Sequence, residues 1–260
     1  NCYRYPVAAN LSLPTAAGKG GAGGMAATGG ASGAAGGAAG RGGPGGAAGS
    51  GAFVCPLGGA LNCSSTGALK LPSGQVTDFS SSQWNGTTQQ WCDADGLRGR
   101  LFSFAGPGSA PSTVSVDTTA QNLRLDVMAK DWGGGGLVFE SCVNASAYTS
   151  VQFKASLASG SLTGCSWQVQ LQTQDQRSTT DEDPTGGTCA SNCYRYPVAA
   201  NLALPTASGT VYTEPFTAFM SQVTSATPTA SQVVGIQWQV NASTSSGCTA
   251  QLRIDNIRFQ

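Results

Sequence analysis

Histidine is absent from all 260 residues. That removes the commonest general base, the Ser/His and Cys/His nucleophile pairs, and every histidine-containing zinc site. Glutamate is nearly as scarce, confined to Glu140, Glu182 and Glu214. Charged residues make up only 10% of the chain, against roughly 25% in an average soluble domain. Thirteen Lys and Arg balance thirteen Asp and Glu, and no basic cluster stands out, so nucleic acid is not an expected partner. No apolar run is long enough to span a bilayer,. These shortages point away from an enzyme. Paired carboxylates remain one route to glycoside hydrolysis, but Asp181, Glu182 and Asp183 run into Pro184 and Gly186 and read as a solvated loop.

Glycine, alanine, serine, threonine and cysteine are plentiful instead. Nine cysteines place the chain in an oxidising compartment, secreted to the cell surface or beyond. The sequence opens on Asn rather than Met, which reads as a processed mature protein. Five N-x-S/T sequons, at Asn10, Asn62, Asn85, Asn144 and Asn241, are candidate glycosylation sites. By position, Cys165 and Cys248 each begin a strand and suit a bridge between strand ends. Cys189 and Cys193 suit a tight local loop, as do Cys55 and Cys63, which leaves Cys92 with Cys142. Other connectivities stay open, and a four-cysteine zinc site would lack any CxxC pair,. One sulfur, Cys2, is left over.

Residues 1–18 (NCYRYPVAANLSLPTAAG) repeat residues 192–209 (NCYRYPVAANLALPTASG) with two differences, Ser12/Ala203 and Ala17/Ser208. A surface that accepts one copy inside the fold should recognise the other. This predicts strand donation to a neighbouring copy of the chain, with Cys2, Tyr3, Tyr5, Val7 and Leu11 as the assembly strand. Tandem duplication without a role is the competing reading. Between the copies, 28 of residues 17–51 are Gly or Ala, a composition that cannot bury enough apolar surface to fold. Every third residue from Gly18 to Gly51 is Gly or Ala, a period that also suits an extended polyproline-II-like rod. The organisation expected is a donor strand at 1–16, a linker or rod at 17–51, a disulfide-looped connector at 52–75 and one β-domain at 76–260.

From Gln75 onward short β-rich runs alternate with Gly, Ser, Asn and Pro. Strands are predicted at 76–80, 100–104, 122–128, 136–141, 150–157, 166–173, 194–204, 210–213, 232–240 and 249–259. Trp167, Val169 and Leu171 point one way while Gln168, Gln170 and Gln172 point the other. Val234, Ile236, Trp238 and Val240 share a face likewise. Period-two runs without an amphipathic helix mean an all-β, two-sheet antiparallel sandwich. The run Gly133–Gly136 reads as a flexible turn, with no phosphate-loop Lys or Ser/Thr after it.

Several stretches resemble the galactose-binding-like jelly rolls of many carbohydrate-binding modules. They are VTDF at 76–79, LVFESCVNASAYTSVQFKAS at 137–156, CSWQVQLQTQD at 165–175, GGTCASNC at 186–193 and RIDNIRF at 253–259. The resemblance implies a jelly-roll sandwich with a structural calcium between first and last strands. Asp78 and Asp255 would then supply carboxylate oxygens; no other cofactor is implied. Asp93-Ala94-Asp95-Gly96 lacks the twelfth-position Glu of a calcium loop,. Trp84, Trp91 and Trp132 lie in Gly/Asn/Asp-rich stretches and are candidate sugar-stacking rings, or else plugs for the ends of the sandwich. The leading expectation is a structural subunit of an extracellular filament joined by strand donation. The alternative is a carbohydrate-binding module of a secreted protein, with glycans as partners.

Overall fold

A computed structural model describes residues 62–64, 66–80, 84–86, 89–92, 95–180, 187–223 and 230–260. The first strand, β1 (Gln75–Thr77), is followed by two short ones, β2 (Trp84–Asn85) and β3 (Gln90–Cys92). Then come β4 (Arg98–Ala105), β5 (Thr113–Asp117), β6 (Asn122–Ala129) and the long β7 (Trp132–Val143). β8 (Ser150–Ser161), β9 (Cys165–Thr173), β10 (Val198–Ala199) and β11 (Thr210–Pro215) precede the final pair. That pair is β12 (Val233–Ala242) and β13 (Cys248–Phe259).

Two antiparallel sheets form a sandwich. One has the order β11-β8-β13-β6-β5, with β1 continuing beside the far end of β13; the other runs β10-β9-β12-β7-β4-β3-β2. The expected alternation holds where it was clearest. Trp167, Val169 and Leu171 of β9 and Ile236, Trp238 and Val240 of β12 are all buried in the core. Phe153 stacks on its cross-strand partner Tyr212 at 4.8 Å within one sheet and meets the edge of Trp238 of the other sheet at 5.6 Å. Each such ring removes about 150–250 Å² from water, worth roughly 4–6 kcal/mol of transfer free energy before entropy is counted.

Two predicted elements come out differently. Gly133–Gly136 is no turn: it lies in the middle of β7, between β4 and β12. Ladders on both sides hold this glycine run extended, and any Cβ there would collide. A Cβ on Gly136 would sit 2.2 Å from the Ile236 carbonyl oxygen, and one on Gly135 2.3 Å from Val114 Cγ2. The predicted strand 194–204 shrinks to the two residues of β10. Asn192, Tyr194 and Asn201 all have φ above 50°, a left-handed backbone that breaks a strand, and Pro197 and Pro205 have no N–H for a ladder.

Residues 192–209 instead form a strap down one side of the sandwich. Tyr196 and Ala199 are buried, and Leu202 packs against the core. The Leu171 amide donates to the Pro197 carbonyl and the Leu202 amide to the Trp167 carbonyl, both at 3.0 Å. Further on, the Leu157 amide of β8 donates to the Thr206 carbonyl at 3.0 Å, so the strap is tied to β9 of one sheet and β8 of the other. Tyr212 adds a hydroxyl bond to the Ala203 carbonyl at 2.7 Å. Burial raises its hydroxyl pKa above the ordinary tyrosine value, so it remains a donor.

The disulfides partly revise the expected set. Cys165–Cys248 and Cys189–Cys193 form as predicted. Cys63, however, bonds to Cys142 rather than Cys55, so neither Cys55–Cys63 nor Cys92–Cys142 forms. Leu69 explains this: its amide donates to the Cys142 carbonyl at 2.7 Å and its carbonyl accepts from Asn144, which lays the connector beside the end of β7. Cys92 is disulfide-bonded as well; its partner is not one of the other six described cysteines, which pair among themselves. Cys2 and Cys55 lie outside the described residues. Among the described residues no helix is long and apolar enough to cross a membrane.

Cys165 heads a strand of one sheet and Cys248 a strand of the other, so their bond staples the sandwich across a separation of 83 residues. Replacing both by Ala should cost about 2–4 kcal/mol without changing the fold, read from urea unfolding followed by tryptophan fluorescence. An unchanged midpoint would mean that the staple adds nothing to the packed sheets.

Candidate outer-face groove

Residues paired across a sheet share a face, so the registers assign the solvent side of the seven-stranded sheet. Phe102 of β4 lies beside Gly136 of β7, and Gly136 beside Gln237 of β12, which pairs with Gln170 of β9. One step along, Phe104, Gly134, Gln239 and Gln168 form a second such row. Trp132 and Asn241 head a third. Every row thus has an aromatic ring at one side and amides at the other. The two central rows have bare backbone between them.

The aromatic side is continuous. Phe102 and Phe104 stack with centroids 6.0 Å apart, and Phe104 meets Trp132 at 5.8 Å. All three are half-buried and face away from the core that Trp91, Trp167 and Trp238 fill. The opposite side is a ladder of amides. Gln172 Nε2 donates to Gln237 Oε1 at 2.8 Å, and Gln237 Nε2 to Gln170 Oε1 at 2.7 Å. Gln170 Nε2 then donates to Gln239 Oε1 at 3.2 Å, and Gln239 Nε2 to Asn241 Oδ1 at 2.5 Å. Gln170 and Gln172 are each 4% exposed, while Gln168, Gln239 and Asn241 are half-exposed. The ladder is therefore rooted in the protein and opens to solvent at the Trp132 end. An amide carries two donor hydrogens and two acceptor lone pairs, so one internal bond each way leaves capacity for a ligand.

Glycine makes the space between. Gly134 and Gly136 present no side chain, and the β4 and β12 backbones flanking them stand two strand spacings, about 10 Å, apart. The other end of the floor is closed by charge. Glu140, 4% exposed, accepts from Arg100 Nε at 2.9 Å and from Gln90 Nε2 at 3.3 Å, and Arg98 Nε lies 3.8 Å away. An acidic side chain held this way is a structural ion pair that fixes the arginines at the groove's end.

Of the predicted tryptophans, the structure keeps one on this face. Trp132 joins the aromatic row. Trp91 is fully buried and packs edge-on against Phe139 at 5.8 Å, which makes it a plug rather than a sugar-stacking ring: it pairs with Gly99 on the inner side of β4. Trp84 pairs with Trp91 and packs against the same core. Phe102, Phe104 and the amides were not singled out from the sequence. The alternation Arg98, Arg100, Phe102, Phe104 in β4 carried that signal.

The remaining candidates are scattered. β1 does pair with β13, through Gln75 with Arg258 and Thr77 with Ile257. Asp78 Oδ1 accepts from the Ser80 amide, and Asp255 Oδ1 from Asn256 Nδ2. Among the described residues no group of three or more His, Cys, Asp or Glu gathers, so calcium at Asp78 and Asp255 would depend on backbone carbonyls and water. Asn62 and Asn144 sit in turns, each side-chain oxygen accepting from the Ser two residues on. Asn85 and Asn241 lie on the groove-bearing sheet. Asn10 and the assembly residues Cys2, Tyr3, Tyr5, Val7 and Leu11 lie outside the described residues. A cavity of about 300 Å³ on the opposite sheet, lined by Ala110, Pro111, Met128 and Gly160 among others, has no aromatic ring.

No family model matches the chain, and no curated protein matches it. Among solved structures it is similar to the family 11 carbohydrate-binding module of a cellulosomal cellulase of Clostridium thermocellum. That likeness is at 11% identity over 61% of this chain and 86% of that one, with a TM-score of 0.42. The family 11 module from Clostridium thermocellum in complex with a β-1,3-1,4-mixed-linked tetrasaccharide matches at 10% identity, over 61% and 87%, also at 0.42. An agarase matches at 8% identity over 72% of this chain but 26% of its own, again at 0.42. Identities and TM-scores this low assign no ligand.

The two tryptophan environments separate cleanly in experiment. Trp91→Ala should cost about 3–5 kcal/mol of stability, the usual loss for a buried large aromatic, whereas Trp132→Ala should cost much less. Chemical denaturation of the two variants makes the comparison. Equal losses would mean that Trp132 belongs to the core.

Proposed function

We propose that the protein binds carbohydrate in the groove on the outer face of the seven-stranded sheet. The observation that carries this reading is the cross-strand order aromatic–glycine–amide, repeated in register at Phe102–Gly136–Gln237 and Phe104–Gly134–Gln239. A pyranose ring combines two requirements that few other ligands share: flat C–H faces that stack on aromatic rings, and hydroxyls around the rim that need hydrogen-bond partners. Stacking rings on one side and amides on the other meet both requirements. Glycines on the floor let the sugar approach the backbone. The fold was already consistent with this reading from the sequence alone, and the extracellular setting that such a ligand needs agrees with the disulfides.

The groove runs along the strands and is open at the Trp132 end, which suits an extended oligosaccharide better than a single sugar. Binding rather than hydrolysis is the function proposed, because Glu140 is occupied by two arginines and stands at the end of the floor. Nothing in the described residues supports the filament expected from the sequence repeat. The strap formed by 192–209 is not the alternating strand on which that donor geometry depended.

Affinity electrophoresis against soluble β-glucans, xylans, mannans and galactans tests the proposal. At least one should retard the wild-type protein. Phe104→Ala and Trp132→Ala should each weaken that retardation by about 1 kcal/mol, roughly fivefold, with unchanged thermal midpoints. No retardation by any polysaccharide, or retardation that survives both substitutions, would rule the groove out.

A further inference from the structure

The strap also bears on the copy of its sequence at the N-terminus. Counting on by 191 positions, Tyr5, Pro6, Ala8, Leu11 and Pro14 correspond to Tyr196, Pro197, Ala199, Leu202 and Pro205. In the internal copy these five are the residues that turn inward: four are buried and Leu202 packs against the core. All five are identical in the N-terminal copy. The two positions that differ, Ala203 and Ser208, are both exposed. Every inward-facing residue of the strap is therefore repeated in the sequence of residues 1–18, and the changes fall at exposed positions.

The strap is also held by the Cys189–Cys193 disulfide and through its main chain. Carbonyls of Pro197 and Thr206 accept from Leu171 and Leu157, the Leu202 amide donates to Trp167, and the Tyr194 amide donates to the Gln176 carbonyl at 2.7 Å. Such bonds do not depend on which chain segment supplies them. The groove between the edges of β9 and β8 thus has one resident, residues 192–209, and a second segment of the same chain with the same inward chemistry.

We infer that residues 1–18 are a second ligand for the side groove that the strap fills, and that they occupy it when the internal copy is displaced. The two segments share the inward-facing residues, so the choice between them rests on tethering. The internal copy runs directly into β11 and is joined to β9 through residues 174–191. A segment reaching in across residues 17–51 acts at an effective concentration of about millimolar at most. The tract of residues 17–51 could extend about 100 Å at roughly 3.1 Å per residue, enough to reach the groove of its own molecule or a neighbour's. The internal copy therefore holds the groove in the wild-type chain, and weakening its anchors should hand the groove to the other.

The test is a mutant cycle in the full-length chain. Tyr5→Ala with Leu11→Ala should leave the thermal midpoint unchanged. Tyr196→Ala with Leu202→Ala should lower it modestly, because residues 1–18 take over. All four together should lower it by clearly more than the sum of the two pairs. Size-exclusion chromatography of the Tyr196/Leu202 variant then reports the source: a larger species means a neighbour's segment, a monomer the chain's own, and both support the inference. Additive losses, with the internal pair as damaging whether or not residues 1–18 are intact, would overturn it. If the double variant does not fold, Leu202→Ala with and without Leu11→Ala gives the same comparison in a chain that keeps the other anchors. Failure here leaves the sugar groove untouched, since the cycle reads stability and the polysaccharide experiment reads binding on the outer face of the sheet.

Discussion

A strand with no side chains at its centre is the constraint from which the rest of the architecture follows. On the inner side, a Cβ at Gly133 would come within 2.8 Å of Ser112 Oγ and one at Gly135 within 2.3 Å of Val114, so the glycines let the second sheet close over β7. On the outer side, Gly134 and Gly136 leave the floor between the Phe102–Phe104 ridge and the amide ladder. Glycine in a strand interior gives up about 0.5–1 kcal/mol each in conformational entropy. Ladders to β4 on one side and β12 on the other hold the register that this loss would otherwise loosen. One stretch of four residues thus sets both the thickness of the core and the shape of the sheet's outer face.

The amides complete that face for a different reason. A row of Gln on the solvent side of a strand is usually mere solvation, yet here Gln170, Gln172 and Gln237 are almost entirely removed from water. A buried amide without partners would be costly, and the ladder from Gln172 to Asn241 supplies them. Side chains fixed in this way keep a set orientation at the half-exposed end. Pre-ordering reduces the entropy that a ligand would otherwise have to overcome. The ion pairs of Glu140 with Arg98 and Arg100 do the same at the other end.

How far these features could be read from the residues varied with their range. Alternation in β9, β12 and β13 was plain, because inward Trp, Val, Leu and Ile contrast with outward Gln, Arg and Asp. Gly133–Gly136 was misread as a turn, since a glycine run looks the same whether it bends or is held flat by neighbours over thirty residues away on one side and a hundred on the other. Trp91 stays open in the sequence between an exposed ring and a buried plug for a related reason. Its flanks are polar, but its partner Gly99 leaves room on the inner face for the indole. The repeat at 1–18 was visible at once, although the form of its internal copy was not, because left-handed residues at Asn192, Tyr194 and Asn201 turn a strand-like sequence into a strap.

The disulfides draw the same line. Cys165 with Cys248 and Cys189 with Cys193 could be paired from position, since strand starts and short turns are local properties. Cys63 chose Cys142 instead of its neighbour in sequence because Leu69 pairs with the end of β7, a contact between distant segments. Local periodicity was sufficient for the all-β class, for most strand positions and for which residues enter the core: side-chain direction in a strand follows from backbone geometry alone. Neither the groove nor the strap could be read that way. Both exist only where strands far apart in the chain come into register, and a residue's neighbours across a sheet are set by the packing of the whole domain.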